Sequence, residues 1–326
     1  MNRKRIGFIV LIVLVVLCFI IPLTYSKIDS GDKGIKITLI AKSATSNFWQ
    51  TCFQGARAAA AEYNDLELKI VAPEVEWDYD AQNEFIADAM REGSDAIVFS
   101  ACDQENCVGA VDMALDRGVP VITIDSGVNT SENITFIGMD NYEAGRQAAK
   151  SVIDNVGESG GVAVVSFEES SGNGAQRVEG FLGYMEDYPD IDILEVYYAR
   201  SDYNVAQSTA TKMMETYGDK LKAIATFNEI TTVGVGRAAY ATDDPDSICV
   251  VGFDNNMESI QMMESGYMDG LIVQNPFAMG YLGVQQAIAE IEGRAVLENV
   301  DTGTAIVTED NMYTAEIEKL LFPFSN

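Results

Sequence analysis

The sequence predicts an α/β protein of two lobes, each built from a parallel sheet flanked by helices. Short β-branched runs alternate with helical patterns from residue 35 onward. These strand-like runs show no alternation of apolar and polar residues, which is typical of parallel strands covered by helices on both faces. The order starts again after residue 140, so two units of similar size follow one another.

The first unit is predicted from strand-like runs and the helical patterns between them. Helices at 80–92 and 105–117 are followed by Gly93 and Gly118, and glycine is the usual residue after a helix C-terminus. Its strands are predicted at 35–41, 67–73, 96–101 and 119–125, and its first helix at 47–64.

The second unit follows the segment "TFIGMD" at 135–140. Its strands are predicted in "VAVVSF", "IDILEVYYA", "AIATFN" and "ICVVGFD", and its helices near 141–156, 174–186, 204–217 and 230–241. A further strand in "DGLIVQNP" and a helix at 279–292 complete the pattern.

The first 26 residues have the pattern of a membrane-targeting segment. "MNRKR" is cationic, and residues 6–23 form an uncharged apolar run. This run is longer than the core of about 7–15 residues in a signal peptide and close to the roughly 20 residues that span a bilayer. Both a cleaved signal peptide and an N-terminal membrane anchor stay open. Lipidation at Cys18 is disfavoured by Leu17 before it. Each alternative exports residues 27–326, to the periplasm, the medium or the cell surface.

The charge balance and the missing histidine exclude several function classes. The chain has 21 Lys plus Arg against 50 Asp plus Glu, a net charge of −29. This charge repels phosphate backbones and anionic lipid surfaces, so we expect no nucleic-acid partner. Without histidine there is no imidazole triad and no His-ligated zinc site. We expect neither a cofactor nor a metal.

Two of the five cysteines are close in sequence. Cys102 and Cys107 flank a polar turn in "SACDQENCVG", and an exported chain permits disulfides. A local disulfide and ordinary core packing are equally favoured for this pair. Cys52 and Cys249 lie in apolar contexts typical of core residues.

Polar and aromatic residues follow nearly every predicted strand, where α/β sheets bind their ligands. Aromatic faces beside amide and carboxylate groups suit a neutral, polyhydroxylated ligand, since rings stack on its apolar faces and polar groups bond its hydroxyls. The groups are Ser43 to Trp49, Asp125-Ser126, Asp140-Asn141, Glu168-Glu169, Asp202-Tyr203, Asn228-Glu229, Phe253-Asp254 and Gln274-Asn275.

The exported chain resembles the periplasmic sugar-binding proteins of the ribose- and galactose-binding type. These are the ligand-binding components of ABC importers, and the effector domains of the lactose-repressor family share their fold. The resemblance runs over roughly residues 35–307 and rests on several motifs in a fixed order. They are "SNFWQTCFQGARAAAAEY", "RGVPVITIDSG", "FIGMDNYEAGRQAA", "NGAQRVEGF", "AIATFNEITTVGVGRAA" and "VVGFDNNMES".

The resemblance implies a type I periplasmic binding protein fold with a three-segment hinge. The lobes are expected at 35–138 plus 274–307 and at 139–273 plus 308–326, with crossings near Asp140, Gln274 and Thr308. It also implies a ligand shell at the strand ends. The shell consists of Asn47, Phe48, Trp49, Asp125, Ser126, Asp202, Asn228, Phe253, Asp254 and Gln274.

The sequence departs from the family pattern where sugar binders often carry arginines. Ser126 follows Asp125, and Ala175 precedes Arg177 by two residues. Arg177 itself is expected to be structural and to pair with a carboxylate inside its own lobe. Fewer guanidinium donors beside several carboxylates leave two ligand classes open. A sugar is favoured over an amino sugar or another cationic solute.

The family mechanism requires no covalent chemistry, because ligand that bridges the lobes favours their closed form. The partner that reads this form is an ABC permease or, for an anchored protein, a sensor kinase. An enzyme using Asp125 and Asp254 as a glycosidase pair is disfavoured, since the motif order belongs to binding proteins. A transcriptional regulator of the lactose-repressor type is excluded by the apolar N-terminal segment.

Overall fold

The computed structural model describes residues 34–322. The predicted targeting segment at 1–26 lies outside the described residues. Within residues 34–322, no helix combines the length and the apolar character needed to cross a bilayer.

Strands and helices alternate along the described chain. The strands are β1 (Ile35–Ile40), β2 (Leu66–Val71), β3 (Ala96–Phe99), β4 (Val121–Ile124), β5 (Phe136–Gly138), β6 (Ser159–Ser166), β7 (Asp190–Tyr198), β8 (Leu221–Thr226), β9 (Cys249–Phe253), β10 (Gly270–Val273), β11 (Asn299–Asp301) and β12 (Ala305–Val307). The helices are α1 (Asn47–Ala60), α2 (Tyr79–Arg91), α3 (Val108–Asp116), α4 (Asn141–Val156), α5 (Gly172–Met185), α6 (Tyr203–Tyr217), α7 (Glu229–Tyr240), α8 (Met257–Glu264), α9 (Pro276–Ile291) and α10 (Ala315–Leu321).

These elements form two six-stranded sheets, each the centre of one lobe. The first lobe has the strand order β11-β5-β4-β3-β1-β2, and the second has β12-β10-β9-β8-β6-β7. The pairings of β3 with β1 and β4, and of β9 with β8 and β10, are parallel. The edge strand β12 is antiparallel to β10. The predicted α/β architecture with two mainly parallel sheets is confirmed.

The chain passes between the sheets three times. It leaves the first sheet after β5 and returns between β10 and α9, around Gln274. The third passage differs from the predicted one near Thr308. Because β11 pairs with β5 and β12 pairs with β10, the chain crosses between Asp301 and Ala305. Residues 305–307 therefore belong to the second sheet, and not to the first lobe as predicted.

Short helices also depart from the sequence expectation. Helices α8 and α10 were not predicted, because helices of 8 and 7 residues are too short to produce a clear helical period. Helix α8 is nonetheless well defined at its start, where the Asn256 side chain accepts hydrogen bonds from the backbone N–H groups of Glu258 and Ser259.

Helices α1 and α9 pack closely, and the contact lies in the middle of α1 and near the start of α9. A Cβ at Gly55 would overlap the carbonyl oxygen of Phe277, and one at Gly280 would overlap that of Cys52. Only glycine permits this approach of the two backbones. Helix α1 begins at Asn47, after Ser46 whose hydroxyl accepts a hydrogen bond from Trp49 N–H at 3.3 Å. The aromatic pair Phe48 and Trp49 is thereby fixed at the edge of the first sheet.

The candidate disulfide between Cys102 and Cys107 is not formed. Both are free cysteines with buried side chains, and Cys107 Sγ lies 3.7 Å from Gln82 Oε1 as a weak donor. Burial raises the pKa of the Cys107 thiol to about 11. Both residues are packed in the core, which was the alternative prediction.

Candidate ligand-binding site

The predicted strand ends of the two lobes face one another across a small cavity. Its free volume is about 30 Å³, room for one or two water molecules. The first lobe contributes Lys42, Ser46, Phe48, Trp49, Glu76 and Asp125; the second contributes Phe167, Asn173, Arg177, Asn228, Glu229, Ile230 and Asp254; and Gln274 lies at a crossing between them.

One aspartate from each lobe has an uncommon backbone conformation at this cavity. Asp125 follows β4 with φ of 59°, and Asp254 follows β9 with φ of 62°. Non-glycine residues rarely adopt this left-handed region, and aspartate is one of the few that tolerate it. Such backbone strain is characteristic of functional sites. The left-handed conformation turns both carboxyl groups from the strand ends into the space between the lobes.

Asp125 is the centre of a polar network that joins the lobes. Its Oδ2 atom accepts from Ser100 Oγ at 3.0 Å, and its Oδ1 atom accepts from Asn173 Nδ2 at 2.9 Å. Lys42 Nζ lies 3.4 Å from Oδ2 and donates to Ser171 Oγ at 2.8 Å and to Asn173 Oδ1 at 3.0 Å. Lys42 belongs to the first lobe and its two hydrogen-bond acceptors to the second, so this amine connects both.

Glu76 makes a second connection between the lobes. Its carboxyl oxygens accept from Trp49 Nε1 at 3.2 Å, from Ser201 Oγ at 2.5 Å and from Asn228 Nδ2 at 3.4 Å. Burial raises the pKa of Glu76, and the hydrogen bond from Ser201 and the charge of Lys42 oppose that rise. Glu76 therefore joins Trp49 of the first lobe to Ser201 and Asn228 of the second lobe.

Glu229 makes a third connection, at the start of α1. Its carboxylate accepts from the backbone N–H of Phe48 at 2.9 Å and of Asn47 at 3.3 Å, and from Asn256 Nδ2 at 3.1 Å. The side chain is only 4% exposed. A carboxylate at a helix N-terminus is stabilised by the unpaired N–H groups and the positive end of the helix dipole. Here the helix and the carboxylate belong to different lobes.

Arg177, Asp254 and Gln274 complete the site. Gln274 Nε2 donates to Asp254 Oδ1 at 2.6 Å. Burial raises the pKa of Asp254 to about 7, and the nearby Arg177 guanidinium and the bond from Gln274 oppose the rise. Burial also lowers the pKa of Arg177. Some buried side-chain atoms of residues 34–322 have no hydrogen-bond partner, and two of them, Arg177 Nη2 and Gln274 Oε1, belong to residues that line this cavity. One donor and one acceptor are therefore available here.

Arg177 is only partly the structural residue that was predicted. Its Nε and Nη1 atoms donate to Asn141 Oδ1 at 2.9 Å and to the Phe227 carbonyl at 2.7 Å, both within the second lobe. Its Nη2 atom, however, lies 4.0 Å from Asp125 of the first lobe. Its own-lobe partners are thus an amide and a carbonyl oxygen, and not the carboxylate that was predicted; the carboxylate of its ion pair is Asp125 of the first lobe.

Six of the ten predicted ligand residues line the cavity, and four do not. Asn47 is exposed beside it and donates only its backbone N–H to Glu229. Ser126 is buried away from the lining, and Phe253 packs under Arg177 with its ring centre 4.8 Å from the guanidinium. Asp202 is exposed and caps α6. The six that line the cavity are Phe48, Trp49, Asp125, Asn228, Asp254 and Gln274.

Sequence reasoning missed several residues that the fold brings into the site. Lys42 and Glu76 were not predicted as ligand residues, and Glu229 was noted only as an extra carboxylate. Asn173 was also missed, although its position in "NGAQRVEGF" is one turn before Arg177 on α5. That one-turn spacing is the only sequence signal that pointed to it.

Comparison with known proteins identifies the fold and the family. A model of the periplasmic binding protein domain matches residues 37–295. The D-allose-binding periplasmic protein of Escherichia coli is 24% identical over 82% of this chain and 88% of its own length. The ribose import binding protein of Haemophilus influenzae is 25% identical over 86% of this chain and 94% of its own length.

Solved structures give the same result. A carbohydrate transporter solute-binding protein from Agrobacterium radiobacter in complex with D-arabinose is 31% identical, with a TM-score of 0.85 over 88% of this chain and 99% of that chain. An ABC transporter solute-binding protein from Agrobacterium vitis with bound D-fucose is 30% identical, with a TM-score of 0.84 over the same shares.

Proposed function

The chain belongs to the periplasmic binding protein family, and we propose that it captures a sugar between its two lobes and presents the closed form to an ABC importer. The two relatives and the Agrobacterium radiobacter structure described above are named as sugar-binding, sugar-import and carbohydrate-transporter proteins. The observation that carries the proposal is the convergence of six side chains predicted from strand ends on one cavity between the lobes.

The cavity contains the groups that a sugar requires. Phe48, Trp49 and Phe167 provide aromatic surface, and Asp125, Asn228 and Asp254 provide acceptors for hydroxyl groups. Arg177 Nη2 and Gln274 Oε1 add an unpaired donor and acceptor. Binding is thus proposed without a covalent step, and the residues are assigned no catalytic role.

Closure is proposed to follow from ligand contacts with both lobes. A small-molecule pocket ordinarily holds about 300 Å³ or more, so a sugar between Asp125 and Asp254 is proposed to hold the lobes further apart than they are around the present cavity of about 30 Å³. It still contacts both lobes only when they close around it, so it shifts the population to the closed form. Lys42, Glu76 and Glu229 already make hydrogen bonds across the interface. Because these hydrogen bonds already favour the closed form, less of the ligand's binding free energy is needed for closure. The closed face is then the surface that the permease recognises.

A second ligand class is favoured by the charges of the site. The lining contains four carboxyl groups, Glu76, Asp125, Glu229 and Asp254, but only two cations, Lys42 and Arg177. An amino sugar would neutralise part of this excess. We therefore retain amino sugars as the alternative ligands of the same site.

The protein acts outside the cytoplasm in this proposal, as the relatives named periplasmic do. A thermal-shift screen of the purified protein against pentoses, hexoses, 6-deoxyhexoses, polyols and amino sugars tests the ligand class. Ligand that binds only the folded protein raises Tm by mass action, by RT ln(1 + [L]/Kd) in free energy. A shift with neutral sugars supports the main proposal, and a shift with amino sugars alone supports the alternative. No shift with any member of the panel would overturn both.

A further inference from the structure

A second and much larger cavity borders the ligand site. Its volume is about 670 Å³, and it lies between α1 and α9 on one side and α8 and α10 on the other. Phe48, Asp254 and Gln274 line both cavities. We call the smaller one the inner site and the larger one the outer cavity. These three buried side chains lie at the boundary between the two cavities. Both cavities lie between the lobes, so a ligand that holds the lobes further apart would contact these side chains from both sides.

The boundary contains a polar atom that needs a partner. Gln274 is 2% exposed, its Nε2 atom donates to Asp254, and its Oε1 atom has no hydrogen-bond partner among the described residues. An unpaired buried amide oxygen destabilises the folded protein, because it has lost its hydrogen bonds to water. A hydroxyl group placed at this boundary would remove that destabilisation.

The wall of the outer cavity is rich in neutral polar side chains. Gln50, Thr51 and Gln54 lie along α1, and Asn255 and Asn275 approach from the other side. Such groups both donate and accept hydrogen bonds. Met257, Ile260 and Phe277 add apolar surface between them. Amides interleaved with apolar surface are the chemistry that recognises a sugar ring.

An anionic occupant is disfavoured by the same surroundings. The helix N-termini that face the cavity are already capped by the side chains of Ser46, Asn256 and Asn275. The charged groups of the lining are Asp254, Glu316 and Lys319, so carboxyl groups outnumber amines. A phosphate would therefore meet neither free helix N–H groups nor a cationic surface.

We propose that the outer cavity binds the second unit of a disaccharide or glycoside whose first unit occupies the inner site. This inference rests on the proposed sugar-binding function. It differs from the sugars named for the similar structures, D-arabinose and D-fucose, which are monosaccharides. The specificity of this protein is then set by both cavities, and Gln54 is a specificity residue for the outer unit.

Isothermal titration of the purified full-length protein tests this. The probes are xylobiose, lactose, melibiose and cellobiose, each compared with D-xylose, D-galactose or D-glucose. We expect one disaccharide to bind at least tenfold more tightly than its component monosaccharides. Gln54→Trp fills the outer cavity from an exposed helix position, and should weaken binding of that disaccharide at least tenfold while changing monosaccharide affinity less than twofold.

Arg57→Trp is the matched control. Arg57 is equally on the exposed side of α1, three residues further on, and does not line the outer cavity. This variant should bind both ligands as the parent does. A monosaccharide that binds while none of the four disaccharides does would overturn the outer site alone. Equal losses for both ligands in Gln54→Trp would overturn it too. If no sugar of any size binds, the proposed function fails with it.

Discussion

Lys42 Nζ and Asp125 Oδ2 lie 3.4 Å apart, and only 3% and 5% of these side chains are exposed. This buried ion pair lies in the interface between the lobes, because the same amine donates to Ser171 and Asn173 of the second lobe. A buried charge is costly unless it is paired and hydrogen-bonded. Asp125 pairs with Lys42 from the same lobe, whereas Ser171 and Asn173 accept from the amine only in the closed arrangement. The pair therefore links the stability of the closed form to the geometry of the ligand site.

Lys42→Met tests this link. Removing the amine leaves Asp125 with the more distant Arg177 guanidinium as its counter-charge, and the loss of one partner of a buried pair costs about 3–5 kcal/mol. We expect the free energy of unfolding in urea to fall by that amount. Lys150→Met is the control, because Lys150 pairs with Asp154 on the exposed side of α4, where an i,i+4 pair contributes only about 0.3–0.5 kcal/mol. Equal small losses in both variants would contradict the role of Lys42.

Glu229→Gln tests the connection between α7 and the start of α1. The variant keeps the shape but loses the charge that accepts from the N–H groups of Asn47 and Phe48. Hydrogen bonds to a charged group contribute about 1.5–3 kcal/mol. We therefore expect the Kd of the sugar identified in the screen to rise about tenfold or more by calorimetry. Glu143→Gln, at the exposed start of α4, should leave Kd unchanged. An unaltered Kd in Glu229→Gln would show that this contact does not favour closure.

The buried carboxyl group of Asp254 predicts a dependence of stability on pH. Its pKa is about 7 in the folded protein against 3.8 in an unfolded chain. The folded protein thus holds the proton more tightly, so stability is lost as the pH rises from about 4 to 7. Glu76, whose pKa burial also raises, acts in the same direction. Arg177, Gln274, Glu229 and Asp125 face Asp254 and set the size of the effect.

Asp254→Asn isolates this contribution, because Glu76 is present in both proteins. From pH 5 to pH 8, the stability of the variant relative to the parent should increase by roughly 2–4 kcal/mol, from 1.36 kcal/mol per pKa unit. Urea unfolding at the two pH values measures it. A constant difference between the proteins would mean that Asp254 is not the titrating group.

Trp49 is predicted to report ligand binding, since its side chain is 2% exposed and lines the inner site. The chain has one other tryptophan, Trp77, which is 42% exposed and lies outside the lining. The change in fluorescence on adding ligand should persist in Trp77→Phe and disappear in Trp49→Phe. Trp49→Ala should also weaken binding by at least about 1 kcal/mol, as expected for a buried aromatic contact with a hydrogen-bonded N–H. A smaller loss would argue against stacking.

The reactivity of the cysteine thiols tests the fold. Cys52, Cys102, Cys107 and Cys249 are free, and burial raises the pKa of each. Neutral, buried thiols react slowly. In residues 34–322, we expect almost no reaction of Cys52, Cys102 and Cys107 and slow reaction of the half-buried Cys249 with an aromatic disulfide reagent in native buffer, and complete reaction of all four in guanidinium chloride. If two fewer thiols than expected react in the denatured sample, Cys102 and Cys107 form a disulfide.

The sequence alone determined the architecture and half of the site. Buried parallel strands need apolar residues on both faces, so β3, β4, β8 and β9 were visible as mainly apolar runs. Residues just beyond such strands lie at one edge of a sheet by geometry. That rule was sufficient to place Asp125, Asn228 and Asp254 in the cavity.

The same rule failed for Asp202, and the sheet order explains why. Asp202 and Asn228 both cap a helix that follows a strand. Asn228 follows β8, which lies in the middle of the second sheet, whereas Asp202 follows β7 at its edge. Strand order is decided by pairing between distant segments, and nothing in the local pattern records it. The three-residue strands β11 and β12 were assigned to one lobe for the same reason.

Only the tertiary structure decided which charges meet between the lobes. Lys42 follows β1 and Glu76 lies between β2 and α2, where a charged residue is ordinarily solvated. Their long side chains reach Ser171, Asn173, Ser201 and Asn228, which are more than a hundred residues away. Contacts at that separation depend on how two separately folded sheets come together. Periodicity describes each sheet, and it contains no information about the surface that one sheet presents to the other.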